Sequence, residues 1–250
     1  MEIALKDAKF FKQCIDAIVN IVDEGTFEVS SEGLHLRSLD ASQIAMVDFR
    51  LPKGTAFSNF DSDGVRYLSL NLLDLSKILA RSRGQEKLTI RAEEKENKIS
   101  FEFVSDAKRS FKTPVLDLKE SAMPREPKVT FDVTVKIRAT ALKEALKDAS
   151  LVSSHVQMDA SDGKLSIEAH GDSGDMASEL GGKSAKEIEV TASTPSKAMY
   201  PAEYLDKMAK AAVDSEPVTL EFGNNKPIRM SYKIGDAQLV YYLAPRVESE

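Results

Sequence analysis

The chain has 250 residues, 42% of them hydrophobic and 30% charged, with no tryptophan; this is a globular composition with apolar side chains for one large core or two modest ones, and it excludes a fibre or a disordered tract. No apolar stretch approaches the roughly 20 residues that cross a bilayer, and the opening MEIALKD lacks the basic and apolar regions of a secretion signal, so a cytoplasmic protein is expected. The net charge of −6 argues against a protein whose whole surface coats nucleic acid, although it leaves local patches open, and the single cysteine, Cys14, excludes an internal disulfide.

Phe11, Cys14, Ile15, Ile18 and Val22 recur at helical spacing and predict a helix over 8–21, with Cys14 as a small core residue on its apolar face. The β-rich or alternating runs FEVSS, LHLRSL and AMVDFRL follow as strands. Leu72, Leu75 and Leu79 mark a second helix over 71–83, before the strands KLTIRA and KISFEFV. In LDLKESAMPREPKVTF (116–131), Pro124 and Pro127 forbid a helix and favour an extended linker, within which Ala122-Met123-Pro124 is an apolar island. Leu142, Ala145, Leu146 and Ala149 predict a third helix over 140–150, and Leu205, Met208 and Ala212 a fourth over 201–213.

The two halves repeat. LSLNLLDLSKILARSRGQEKLTI (68–90) lies over AMYPAEYLDKMAKAAVDSEPVTL (198–220) at an offset of 130, pairing Leu75 with Leu205, Lys77 with Lys207 and Glu86 with Glu216. Each module reads helix, strands, helix, strands, with many short antiparallel strands per helix pair, so the expected class is α+β and not βαβ. The expected boundaries are an N-terminal domain over 1–117, a connector over 118–128 and a C-terminal domain over 129–250.

The helices are net basic, and the acidic excess sits on strands and loops. Lys77 and Lys207 occupy equivalent positions beside Arg81 and Lys210. Such a stripe, without interleaved aromatics, suits phosphate contacts with no base readout; solvated surface lysines explain it as simply.

Three motifs come close to chemistry. ASELGGKS (177–184) keeps Gly182, Lys183 and Ser184 of a phosphate loop, but Ala177 replaces the first glycine and AKEIEVTA after it reads as a strand, where phosphate binding needs a helix N-terminus. GDSGD (171–175) has Asp175 in place of the last glycine of a protease nucleophile loop, and His35, His155 and His170 lack the context of a base. MDASDGKLSIE (158–168) puts Lys164 where a calcium loop requires glycine, and reads as strand, Asp-Gly turn, strand. Neither His155 nor His170 has a cysteine, or a histidine one turn away, to complete a metal site. No catalysis, metal or cofactor is expected.

SLDASQIAMVDFRLP (38–52), the helix LLDLSKILARSR (72–83), the proline-bearing linker and GDAQLVYYLAPRVE (235–248), in this order over the length of the chain, resemble the proliferating cell nuclear antigen family of sliding clamps, archaeal type. The resemblance implies a DNA clamp fold of two similar domains, each with two helices on antiparallel sheets. It also implies that three subunits close head to tail into a ring around duplex DNA and act as a polymerase processivity factor.

Carried over residue by residue, the resemblance implies that Lys12, Lys77, Arg81, Lys147, Lys207 and Lys210 face DNA, with Lys9 and Lys143 beside them; Glu144 and Glu203 on similar faces weaken that lining. The family's edge strands map near 106–113, with Lys108, Arg109 and Lys112, and 174–181, with Asp175 and Glu179, as subunit-interface residues of opposite sign. A pocket for a partner peptide with a glutamine and an apolar-aromatic turn falls on Leu39, Gln43, Ile44, Met46, Met123, Pro227, Tyr242, Ala244 and Pro245. The implied partners are double-stranded DNA of any sequence, DNA polymerase, a clamp loader, a flap endonuclease, a DNA ligase and two further subunits, with no membrane partner. One subunit of a heterotrimer, or an interaction scaffold without a DNA role, are the alternatives.

Overall fold

The computed structural model describes residues 1–62, 64–93, 97–117, 123–172, 174–181 and 188–246. Two units divide the chain: the first is Met1–Ala41, Val47–Pro124 and Ile234–Leu239, the second Ser42–Met46, Arg125–Lys233 and Val240–Glu250.

The first unit begins with β1 (Glu2–Leu5) and α1 (Ala8–Val19), continues through β2 (Glu24–Ser30), β3 (Gly33–Leu39), β4 (Ala45–Pro52), β5 (Phe57–Asp61) and β6 (Arg66–Asn71) into α2 (Leu72–Leu79), and closes with β7 (Lys87–Glu93), β8 (Lys98–Val104) and β9 (Lys108–Pro114). Strands β5-β1-β7-β8-β9 form a five-stranded antiparallel sheet with β9 at its edge, and β4-β3-β2-β6 are neighbours in a second sheet. Alternation sets the buried faces: Phe27 and Val29 of β2 lie opposite Leu68 and Arg66 of β6, and Phe27, Val29 and Leu68 turn inward with Leu36 and Phe49.

In the second unit β10 (Val133–Arg138) leads into α3 (Ala139–Ser150), then β11 (His155–Ser161), β12 (Lys164–Gly171), β13 (Gly174–Gly181), β14 (Ile188–Ala192), β15 (Ser196–Pro201), α4 (Ala202–Ala209), β16 (Pro217–Phe222), β17 (Ile228–Ile234) and β18 (Ala237–Leu243). Strands β13-β12-β11-β15 form a four-stranded sheet with β13 at its edge; β14-β10-β16-β17-β18 are neighbours in the other. The Asp162-Gly163 turn joins β11 to β12 with both residues at positive φ, so the sequence resembling a calcium loop is a hairpin, as its spacing implied.

The repeat is visible in single bonds. The Ala8 amide donates to the Glu86 carbonyl at 2.9 Å, and the Ala139 amide to the Glu216 carbonyl at 3.1 Å, so each first helix of a module is tied at its start to the same strand entry. Within each module the two helices also touch: Ser76 donates to Asp16 at 2.8 Å between α2 and α1, and Lys143 of α3 donates to the Ala212 carbonyl at 2.7 Å just beyond α4. Asp7 and Asn71 cap α1 and α2 by accepting from the Lys9 and Asp74 amides; α3 and α4 start without a side-chain cap bond.

Three helices end before the point their apolar period predicts. After α1 the Ile21 amide bonds three residues back, to Ile18; after α2 the Arg81 and Ser82 amides do so, to Ile78 and Leu79, and after α4 the Ala212 amide to Ala209. These tightened turns continue the buried face without continuing the helix, which is why Val22 and Ala212 keep the spacing and stay buried. Cys14 is buried in α1, where desolvation pushes its thiol well above the ordinary range. The buried tyrosine hydroxyls are matched: Tyr232 donates to the Met208 carbonyl at 2.9 Å and meets Tyr241 at 3.0 Å, and Tyr200 donates to the Lys226 carbonyl at 2.8 Å.

Residues 116–117 and 123–131, the described parts of the proline-bearing linker, lie in neither helix nor strand, while 118–122, with Ala122, lie outside the described residues. No helix among the described residues is long and apolar enough to cross a membrane.

Candidate functional site

Helical spacing that buries one face must expose the other, and the exposed faces carry the cations together with acids one turn away. On α1, Lys9 is exposed and Lys12 pairs with Asp16. On α2, the side chain of Lys77 is 76% exposed and sits 2.9 Å from Asp74, with Arg81 exposed beyond the helix end. On α3, Lys147 lies 3.0 Å from Glu144, whose hydrogen bond pushes the ammonium pKa up. On α4, Lys207 is 42% exposed, 2.6 Å from Glu203 and 5.7 Å over the Tyr204 ring, while Lys210 is exposed.

Lys143 differs from the rest. Its side chain is only 17% exposed, and Nζ donates to the Ala212 carbonyl and to Asp214 Oδ1, both at 2.7 Å, holding the Asp214 carboxyl below its usual range. The ammonium is spent tying α3 to the turn after α4. The other cations form exposed, half-neutralised points of positive charge, suited to weak, exchangeable phosphate contacts and not to a rigid anion pocket.

The edge strands β9 and β13 carry opposite charge, and Lys108, Arg109, Asp175 and Glu179 each have a partner inside their own unit. On β9, Lys108 pairs with Glu102 at 2.8 Å, and Lys112 is exposed. Arg109 is anchored: its guanidinium reaches buried Glu86 at 2.7 Å and the Arg81 carbonyl at 2.9 Å, and stacks 5.3 Å over Phe103. Burial works to raise the Glu86 carboxyl, but the Arg83 amide and Arg109 together hold it below the ordinary value. On β13, Asp175 meets His170 Nδ1 at 2.7 Å and Glu179 meets Lys164 at 2.7 Å.

Of the residues assigned to a peptide pocket, Gln43, Ile44, Met46, Pro227, Tyr242, Ala244 and Pro245 belong to the second unit, and Leu39 and Met123 to the first. The Ala244 amide donates to the Ile44 carbonyl at 2.8 Å, which brings segment 42–46 against the end of β18. Gln43 is exposed at φ 59°, Met46 is buried, and Ile44, Pro227, Ala244 and Pro245 are half-buried. Tyr242 is only 4% exposed and its hydroxyl donates to Glu126 at 2.7 Å; burial foremost, then Glu126, pushes its pKa up. In the first unit Leu39 is exposed and Met123 half-buried.

Sequence reasoning passed over one cluster. Asp48, 4% exposed on β4, accepts from His35 at 3.2 Å, Arg50 at 3.1 Å and Arg37 Nε at 2.5 Å, with Arg37 Nη2 on the same carboxylate. Burial alone would raise its pKa, but the three donors hold it far below the carboxylate range. The signal was available, because alternation in LHLRSL and AMVDFRL puts His35 and Arg37, and Asp48 and Arg50, on the polar faces of β3 and β4.

Among the described residues no group of three or more histidine, cysteine or carboxylate side chains could hold a metal ion. Gly182, Lys183 and Ser184 of the phosphate-loop stretch, and Ser173 of GDSGD, lie outside the described residues. Gly171 has a packing role: a Cβ there would stand 2.0 Å from the Val152 carbonyl oxygen.

A doubled α+β unit that sets a cation-bearing helix pair on antiparallel sheets, with edge strands of opposite charge, is the DNA clamp fold. Residues 1–126 match the N-terminal domain of proliferating cell nuclear antigen and residues 126–247 its C-terminal domain. The chain is 33% identical over 248 residues to a DNA polymerase sliding clamp of Pyrococcus abyssi, covering 99% of this chain and 98% of that one. It is 35% identical over 244 residues to a protein of the same name from Thermofilum pendens, covering 97% of each. The crystal structure of PCNA from Thermococcus kodakaraensis is matched with a TM-score of 0.90 at 26% identity, over 98% of this chain and 99% of that one. This chain belongs to the proliferating cell nuclear antigen family.

Proposed function

We propose that the chain is a DNA polymerase sliding clamp, a non-catalytic processivity factor that closes with two further copies of itself into a ring around duplex DNA. The observation that carries this is similarity along nearly the whole chain to proteins named DNA polymerase sliding clamp. The helix cations support it: Lys9, Lys12, Lys77, Arg81, Lys147, Lys207 and Lys210 supply phosphate contacts that read no base, so nothing holds the ring at one sequence. Lys143 contributes through α3–α4 packing.

Identical subunits assemble head to tail through two different edges, and β9 and β13 offer them with opposite charge. Lys108, Lys112, Asp175 and Glu179 exchange partners there, while Arg109 stiffens β9 from behind. DNA polymerase, clamp loader, flap endonuclease and ligase dock short peptides on Leu39, Gln43, Ile44, Met46, Met123, Pro227, Tyr242, Ala244 and Pro245. In this reading 1–117 and 129–250 are the two domains, 118–128 is the connector, and the ring works in the cytoplasm.

The test is topological. Loaded on nicked circular DNA, the protein stays bound through gel filtration and leaves when the circle is cut; equal retention on cut and uncut circles would refute encirclement. Light scattering of the chain alone should give a trimer mass. A monomer at micromolar concentration would refute self-closure in favour of a ring with paralogues.

A further inference from the structure

Pro124 and Pro127 each lack a backbone donor, and residues 123–131 join no sheet, so side chains that reach in from the flanks help to hold this segment. In the second unit these are Tyr242, which donates to Glu126 at 2.7 Å, and Lys226, which donates to the Thr130 carbonyl at 3.0 Å. In the first unit it is Arg37, whose Nη1 donates to the Pro124 carbonyl at 3.3 Å. That carbonyl belongs to the residue after Met123.

Arg37 differs from an ordinary surface arginine. It projects from β3 with its side chain only 11% exposed, and its Nε and Nη2 fork onto Asp48, itself fixed by His35 and Arg50. A planar guanidinium with two of its nitrogens committed to one carboxylate has no freedom left for the third, so Nη1 is aimed by the strand scaffold. A lysine could hold either Asp48 or the Pro124 carbonyl, but not both in this geometry.

We propose that Arg37, aimed by Asp48, is a positioning residue for partner docking: it fixes the chain at Pro124 and so presets Met123, a residue assigned to docking the peptide. The proposal rests on the pocket reading above. A preset Met123 spares the incoming peptide the cost of ordering it; without the clasp that cost returns at binding, worth about fivefold in affinity for one or two newly immobilised side chains.

The experiment uses the full-length protein and a synthetic peptide carrying a glutamine and an apolar-aromatic turn. Arg37→Met and Arg37→Lys are compared with wild type, with Tyr242→Ala and Pro245→Ala as controls for the pocket. Support is a loss of about fivefold in both Arg37 variants, at unchanged trimer mass, with faster hydrogen exchange at the Met123 and Arg125 amides and unchanged exchange in β3 and β4. Affinity within about twofold of wild type in Arg37→Met, while the pocket controls weaken binding, overturns the clasp alone. Exchange that rises throughout β3 and β4 overturns it as well, since Arg37 would then act on the stability of the sheet. Full affinity in Tyr242→Ala and Pro245→Ala overturns the pocket reading, and the proposal with it.

Discussion

Removing Lys77 and Lys207 together tests the helix lining most directly, because the repeat makes them the same position twice. In a trimeric ring the pair Lys77→Ala and Lys207→Ala takes away six ammonium groups. Each phosphate contact contributes about 0.9 to the slope of log affinity against log salt, so the slope can fall by at most about 5. The two lysines do not count equally. Lys77 is 76% exposed with one partner, Asp74, at 2.9 Å; Lys207 is 42% exposed, closer to Glu203 at 2.6 Å, and lies over the Tyr204 ring. Lys207 gives up more to reach a phosphate, so Lys77→Ala alone should flatten the slope more than Lys207→Ala. Either change also leaves a carboxylate behind, and adding Asp74→Asn to Lys77→Ala should restore part of the affinity but none of the slope. Anisotropy titrations on duplex DNA at several salt concentrations measure both quantities, with light scattering to confirm the trimer. An unchanged slope in the double variant would refute the lining. The reverse order of the single variants would refute the argument that intrahelical pairing sets availability.

At the pocket, Pro245→Ala and Tyr242→Ala should each weaken a partner peptide about tenfold, roughly 1.4 kcal/mol, in a calorimetric titration; losses within about twofold would remove these residues from the site. Asp48 makes an acid-limb signature. Its folded pKa lies below the unfolded value of about 3.9, so its contribution to stability is fully present above about pH 4 and drains away as pH falls toward the folded value. Asp48→Asn should lower the thermal midpoint at neutral pH and flatten the acid limb, and a parallel limb would show that the carboxylate is not the group responsible. Gly171→Ala should cost about 1–3 kcal/mol by urea unfolding, because the new Cβ meets the Val152 carbonyl oxygen at 2.0 Å and backbone must move; a neutral substitution would refute that close approach.

Much of this fold could be read from spacing, since burial enforces it. Phe11, Cys14, Ile15 and Ile18 are buried because one stripe of α1 must leave water, and the same rule gave the other three helices. It could not give their ends: a tightened turn and a helix bury Val22 or Ala212 equally well. Candidate cations were legible for the converse reason, being what the buried stripe leaves outside. Their partners were legible only when one turn away, as Lys12 with Asp16 or Glu203 with Lys207. The Asp214 that takes Lys143 lies 71 residues off, and the Glu86 that takes Arg109 lies 23 off, distances that only the folded chain brings together. Roles in the peptide pocket came from resemblance to a family and from no pattern in the residues themselves.

The intrahelical pairs bear on sliding itself. An exposed lysine beside a carboxylate holds it with a net 0–1 kcal/mol, about what an exposed phosphate contact offers in water. In the proposed lining, leaving a phosphate returns Lys77, Lys147 or Lys207 to Asp74, Glu144 or Glu203 and not to bare solvent. The two states are close in energy, so no deep minimum holds a lysine on one phosphate. A lining of isolated cations would bind more tightly and move less freely. In the proposed ring, where retention comes from closure, the acids on the helix faces cost little affinity that matters, and they keep the ring from sticking.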